Sequence, residues 1–273
     1  MKLSVAIADT KARPSAFVVF RGFDESIRKA ADLGYDGVEL ALKAASEIDR
    51  DALDALLHQT GMEVSCISTG QVFANLGLMF TDPDLTNRET LAQLFEDFID
   101  LAADFGQLVN IGRVRGALDP LRPDKSEQLF VDMARALCDY AEPKGVTLVL
   151  EPVNRYEINF VNRVEEGVAL MKKVARANMK LMPDVFHMNI EDRTIGDELE
   201  KHIEYVAYVH LADSNRLAPG QGHTNFPDIL AHLDRAGYRG WGSVEILPKP
   251  DPDTAARLAI DFLKPLAQQY CVQ

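Results

Sequence analysis

A short phrase recurs along the chain: an amphipathic helical stretch, a glycine, two or three residues, then an apolar β-rich run. Residues 30–33, Gly34 and 37–42 form one instance, and 53–60, Gly61 and 63–68 the next. It returns as 101–105, Gly106 and 108–111, and again as 137–144, Gly145 and 146–150. In 168–177 and 179–182, Asn178 stands in the glycine's place, and 229–236, Gly237 and 242–246 complete the set. A glycine, or Asn178, suits the left-handed residue that ends a helix. Runs such as Val-Thr-Leu-Val-Leu over 146–150 have no polar face, as expected of parallel strands covered on both sides. Adding 3–8 and 206–211 brings the strands to eight, with helices expected at about 23–33, 50–60, 87–105, 124–144, 164–177, 196–204, 226–236 and 253–270. Strict alternation over 273 residues, with no Pro/Gly/Ser linker, predicts an α/β chain folded as one (β/α)8 TIM barrel domain spanning 1–273.

In such a barrel the chemistry sits at the carboxyl ends of the strands, here near 9, 43, 69, 112, 151, 184, 211 and 246. Four consecutive strands end in ligand-type side chains: Leu-Val-Leu-Glu151, Leu-Met-Pro-Asp184, Tyr-Val-His210 and Gly-Ser-Val-Glu245. One ionisable residue at a strand end is an ordinary cap. Four that converge on one mouth are costly to bury unless paired or bound to a metal. Three carboxylates and an imidazole suit a divalent ion of the Mn2+, Mg2+ or Co2+ kind better than one that prefers thiolates. The long connection over 69–86 lies on the same face, and its Phe73, Leu78 and Phe80 predict a wall or lid over the pocket.

These residues carry a resemblance. The strings Leu-Glu-Pro-Val-Asn-Arg-Tyr-Glu, Asp-Val-Phe-His-Met-Asn-Ile-Glu, His-Leu-Ala-Asp-Ser-Asn-Arg-Leu-Ala-Pro-Gly-Gln-Gly and Gly-Tyr-Arg-Gly-Trp-Gly-Ser-Val-Glu resemble the xylose isomerase-like sugar isomerase/epimerase superfamily. Within it they are most similar to ketose 3-epimerases of the D-tagatose/D-psicose type. The similarity is specific over about 146–248 and follows the strand pattern alone before that. It implies that Glu151, Asp184, His210 and Glu245 bind the metal, Mn2+ first with Mg2+ or Co2+ as alternatives. It further implies that Glu157, His187 and Arg216 contact a small sugar and that the protein is a homodimer or homotetramer. Pro183, before the metal aspartate, departs from the family's usual pattern; a local change in backbone pairing is expected there, with the ligand kept.

The expected chemistry follows. Glu151 and Glu245 arrive from different strands, so one can remove a proton beside a ketose carbonyl and the other return one to the opposite face, through a metal-stabilised enediolate. The alternative is a metal-dependent lyase or dehydratase on a keto-sugar, keto-glycoside or inosose, which shares the enolate but expels a leaving group. A phosphodiesterase like endonuclease IV needs more histidine ligands, and a net charge of −13 with no Lys/Arg run excludes nucleic acid as a natural partner. Among secondary candidates, Arg113 and Arg115 follow the fourth strand and either anchor an anionic or hydroxyl group or pair with a loop carboxylate. His223 reads as a loop residue, Cys66 as a small buried hydrophobe, and His58, His202 and His232 as outer-ring residues. Cys66, Cys138 and Cys271 have no short spacing and fit a reducing compartment. The apolar run before Asp9 is too short for a leader, and no apolar stretch has membrane-spanning length, so a cytosolic location is expected.

Overall fold

The computed structural model describes residues 1–14 and 16–270, so Cys271 lies outside the described residues. Eight parallel strands surround a central bore: β1 (Lys2–Ala8), β2 (Gly37–Ala41), β3 (Glu63–Ser68), β4 (Leu108–Ile111), β5 (Thr147–Leu150), β6 (Met179–Leu181), β7 (Tyr208–His210) and β8 (Trp241–Val244). They pair in the order β6-β5-β4-β3-β2-β1-β8-β7. Closure between β6 and β7 rests on two isolated bridges, Leu181 to Val206 and Asp184 to His210. The thinning of the ladder falls at Pro183, as expected. That proline donates no hydrogen bond, but its carbonyl accepts from His210 N at 2.9 Å.

Among the described residues ten α-helices surround the barrel: α1 (Phe23–Leu33), α2 (Arg50–Thr60), α3 (Gly70–Leu76), α4 (Leu85–Asp104), α5 (Pro123–Ala141), α6 (Val164–Val174), α7 (Val185–Glu191), α8 (Ile195–Lys201), α9 (Phe226–Arg235) and α10 (Pro252–Tyr270). Among the described residues none is long and apolar enough to cross a membrane. At five helix-to-strand joints the glycine of the recurring phrase takes a positive φ, between 70° and 88°. At the sixth, the left-handed residue is Ala175 (φ 54°) rather than Asn178. Asn178 instead uses its side-chain amide to bond the Cys138 and Val146 carbonyls.

The period of two along each strand sorts side chains between two layers. Leu3, Val5 and Ile7, Val38 and Leu40, Leu148 and Leu150, and Val209 and Leu211 point outward into the main core shared with the helices. Cys66, Val149, Met182 and Tyr208 form a small inner cluster. Each site residue at the mouth occupies the next inward position on its strand: Glu151 after Val149, Asp184 after Met182, His210 after Tyr208, Glu245 after Ser243. The strand ladders therefore decide which side chains meet above the bore.

The segment 69–86 walls the pocket through Gly70, Gln71 and Ala74, but not with all the apolar residues expected to do so. It contains α3, and Leu78 and Phe80 turn away from the mouth into the outer core. Phe80 is fully buried, packed edge-on against Phe95 and stacked on Phe130. Burying a side chain of this size contributes about 1.5–3 kcal/mol, which explains why a surface connection carries it. Two further elements were not expected: α7, directly after Asp184, and a two-residue strand, Phe20–Arg21, beside the end of β1.

Candidate metal centre

Glu151, Asp184, His210 and Glu245 each present one ligand atom, and these four atoms all lie within 4.8 Å of one another. Local chemistry positions each of them. Asp184 is the N-cap of α7: Oδ1 accepts from Phe186 N at 2.8 Å, which leaves Oδ2 facing the cluster. Glu151 directly follows β5, and its carbonyl accepts from Arg115 Nη1 at 2.7 Å. Glu245 directly follows β8. His210 ends β7, with Nδ1 turned inward at 3.4 Å from Glu151, 3.5 Å from Glu245 and 3.7 Å from Asp184.

The donor set fits a divalent cation on two grounds. His210 Nδ1 is buried without a hydrogen-bond partner, in the position of a lone pair awaiting an acceptor of electrons. Three carboxylates packed this closely also call for more positive charge than one guanidinium supplies. Burial and mutual repulsion leave their proton affinities far apart. Burial pushes Glu245 up to about 8, although His210 and Arg216 pull the other way. At Glu151 and Asp184 burial also opposes ionisation, but contact with His210 for Glu151 and the Arg216 guanidinium for Asp184 prevail and hold both below the usual carboxylate range.

Above the cluster is a pocket whose walls come from both halves of the chain, with Phe17, Val18, Ala41, Gly70 and Gln71 from the first half. All three residues implied as substrate contacts line it: Glu157, His187 and Arg216. Arg216 reaches further than expected. Its guanidinium donates to Asp184 Oδ2 and Glu245 Oε2 and lies between the rings of Phe17 and Phe186, 4.8 and 4.9 Å from their centroids. Its backbone is left-handed (φ 62°), a conformation that costs a non-glycine residue about 1–3 kcal/mol and clusters at functional sites. The carbonyl of Arg216 also accepts from Leu247 N at 2.8 Å, which ties this loop to the end of β8. His187 has a partner not anticipated from sequence. Asn154 Nδ2 lies 2.8 Å from His187 Nδ1 and 3.2 Å from Glu157 Oε1. With Nδ1 accepting that bond, Nε2 carries the hydrogen and is the donor that faces the cluster. Burial lowers the proton affinity of His187, which favours this neutral form.

The arginines after β4 separate. Arg113 lines the pocket, 3.4 Å from Glu157 Oε2 and over the ring of Phe73. Arg115 does not line the pocket and bonds carbonyls in place of the loop carboxylate that the sequence offered as its alternative partner. It is fully buried and donates to the carbonyls of Gly112, Glu151, Phe160 and Val161. Gly112 is required by close approach: a Cβ there would stand 2.9 Å from Glu151 Oε2. His223 is an exposed loop residue, Cys66 and Cys138 are buried and free, His58 and His232 lie on outer helices and His202 caps the end of α8 in the same outer layer. Sequence reasoning missed Glu39, Phe17 and Asn154. Glu39 had a signal, as the one carboxylate at an inward position of the apolar run Gly-Val-Glu-Leu-Ala; Phe17, in an irregular loop, had none.

Comparison with known proteins agrees with the barrel fold. Residues 27–266 match the family described as Xylose isomerase-like TIM barrel. The chain is 32% identical over 226 residues to the D-psicose 3-epimerase of Ruminiclostridium cellulolyticum, covering 78% of this chain and 74% of that one. It is 31% identical over 226 residues to the L-ribulose 3-epimerase of Methylomonas sp., covering 80% and 76%. Among solved structures, the D-allulose 3-epimerase from Methylomonas sp. in complex with D-allulose superposes with a TM-score of 0.81 at 25% identity, over 97% of this chain and 96% of that one.

Proposed function

The chain belongs to the Xylose isomerase-like TIM barrel family, and from that premise we propose that it is a metal-dependent isomerase that epimerises ketoses at C3. The observation that carries this reading is the set of four ligand atoms within 4.8 Å of one another, beneath a pocket lined by Glu157, His187 and Arg216. A divalent cation held by Glu151, Asp184, His210 and Glu245 supplies Lewis acidity that eases proton removal beside a carbonyl. Mn2+ is the first choice for a set of three carboxylates and one imidazole, ahead of Mg2+ and Co2+. Glu151 and Glu245 handle the protons. They stand at the ends of strands separated around the barrel, so one takes the proton from C3 and the other returns one to the opposite face, inverting that carbon. His187, with Nε2–H facing the cluster, and Arg216, with its planar fork, donate to substrate oxygens and hold the sugar in register. Glu157, bonded by Asn154, accepts from a sugar hydroxyl.

The reading includes a cytosolic homo-oligomer. The buried free thiols Cys66 and Cys138 suit a reducing compartment. Leu121 and Tyr156, 91% and 81% exposed, offer apolar surface that a second copy would cover.

Metal-loaded protein incubated with D-psicose or L-ribulose in D2O tests the function. The expected product is the C3 epimer carrying solvent deuterium at that carbon. Glu151→Gln and Glu245→Gln are each expected to lower turnover by about 10²–10⁴-fold with the metal retained. Release of a leaving group in place of inversion would make the enzyme a lyase. No deuterium at any sugar carbon, with metal bound, would sink both readings.

A further inference from the structure

One carboxylate in the bore is accounted for neither by the motifs nor by the pocket. Glu39 lies on β2, at an inward position, and is fully buried. Its oxygens are 3.0 and 3.2 Å from His210 Nε2, on the side of the ring away from the four-residue cluster. The Tyr208 hydroxyl donates to Glu39 at 3.0 Å and itself lies 2.7 Å from Ser65 Oγ and 3.2 Å from Ser4 Oγ. Glu39 is thus held from beneath by a buried chain of hydroxyls, with its free edge toward the imidazole.

Packing does not explain it. The neighbouring inward positions on β1 and β2 hold Ala6, Ala8 and Ala41, and an apolar residue would fill this place without the cost of a buried charge. The contact with His210 does explain it. An ionised carboxylate has only acceptors, so Nε2 must be the donor. When Nε2 carries the proton, the lone pair of neutral His210 is on Nδ1. That atom faces Glu151, Asp184 and Glu245 and has no hydrogen-bond partner.

We propose that Glu39 is a positioning residue for the metal centre: by accepting from His210 Nε2 it selects the tautomer and ring orientation that make Nδ1 the ligand atom. The inference rests on the reading of Glu151, Asp184, His210 and Glu245 as metal ligands. Outer partners of ligating histidines act in this way, and their loss costs about 10–100-fold in metal affinity or activity. Glutamine at position 39 fills nearly the same space but is neutral, and its amide can donate to Nε2 and so favour the opposite tautomer.

The test measures Mn2+ affinity of the full chain and of Glu39→Gln, together with [15N]histidine spectra of the Mg2+-loaded proteins. The parent is expected to show His210 protonated on Nε2. The variant should bind Mn2+ about 10–100-fold more weakly, show a mixture of His210 tautomers, melt no lower than the parent when both are metal-free, and recover turnover when Mn2+ is raised to saturation. Equal affinity and an unchanged His210 spectrum would overturn the proposal. A parent that binds no divalent ion would instead fail the metal reading, and this inference with it. If Glu39→Gln does not fold, Glu39→Asp decides. It keeps the charge but withdraws the carboxylate by one methylene, so a tenfold loss of affinity supports positioning and a loss under twofold overturns it. Failure of both variants to fold would assign Glu39 a purely structural role.

Discussion

Two arginines lie at nearly the same depth, Arg115 in the loop after β4 and Arg216 in the loop after β7, 0% and 3% exposed. Their partners differ in kind. Arg115 donates to four backbone carbonyls. Burial pulls it down to about 10, so it keeps its charge at neutral pH, with Glu151 and Glu157 acting in its favour. Arg216 donates to two carboxylates of the metal cluster, and Asp184 and Glu245 raise its proton affinity despite burial. A guanidinium bound to carbonyls fastens one stretch of backbone to another, here the end of β5 to 160–161. A guanidinium bound to carboxylates at a pocket floor takes part in whatever charge enters that pocket. Residue type and burial are alike in the two loops, and the partner atom decides which one is scaffold and which one belongs to the site.

The largest expected effect falls on the scaffold side. Arg115→Met removes a donor from four buried carbonyls, of which those of Gly112 and Val161 keep a backbone N–H, and should destabilise the protein by about 3 kcal/mol, with or without metal. Urea unfolding measures this. A variant within about 0.5 kcal/mol of the parent would erase the distinction between the loops.

Arg216→Ala should act the other way. In metal-loaded protein kcat/KM should fall at least about tenfold, or 1.4 kcal/mol, while the melting temperature barely moves. In metal-free protein the same change should cost stability, because Asp184 and Glu245 lose their cationic partner. Steady-state kinetics and paired melts separate the two effects, and equal destabilisation in both states would make Arg216 a clamp like Arg115.

The smallest effect concerns a third buried charge, away from the mouth. Asp192, at the end of α7, has its carboxylate 3.7 Å from Arg163 Nε, and burial pushes it up to about 7, with Arg163 opposing. A carboxyl raised on folding binds more protons in the native state than in the unfolded one. Stability therefore falls as pH rises from about 4 to about 7 and stays level above. Asp192→Asn should raise the melting temperature at pH 8, with a gain that shrinks toward pH 4. A gain independent of pH would show that Arg163 already compensates the charge.

Much of this was legible in the chain. The eight strands lie within about two residues of their expected bounds at most ends, because continuous apolar runs bounded by glycine have few other uses in a chain of this length. The four candidate ligands were legible because each is the first ionisable residue after such a run. Glu39 carries a signal, as a carboxylate at an inward position of an apolar strand, but its partner emerges only once β2 and β7 face each other across the bore. Phe80 was misassigned for a related reason: its sequence shows that it must be buried but not whether the burying surface is the pocket or the helix layer.

By itself the sequence determined the periodicities, and with them the barrel, the strand ends and the inward phase that brings Glu151, Asp184, His210 and Glu245 to one rim. These are local properties, written in spacing and in the cost of exposing apolar runs. The tertiary structure alone decided pairings between residues far apart in the chain: Glu39 with His210, Phe17 with Arg216, Asn154 with His187, Arg115 with the 160–161 backbone. A hydrogen bond depends on distance and direction within a few tenths of an ångström, and those are set only when the barrel closes.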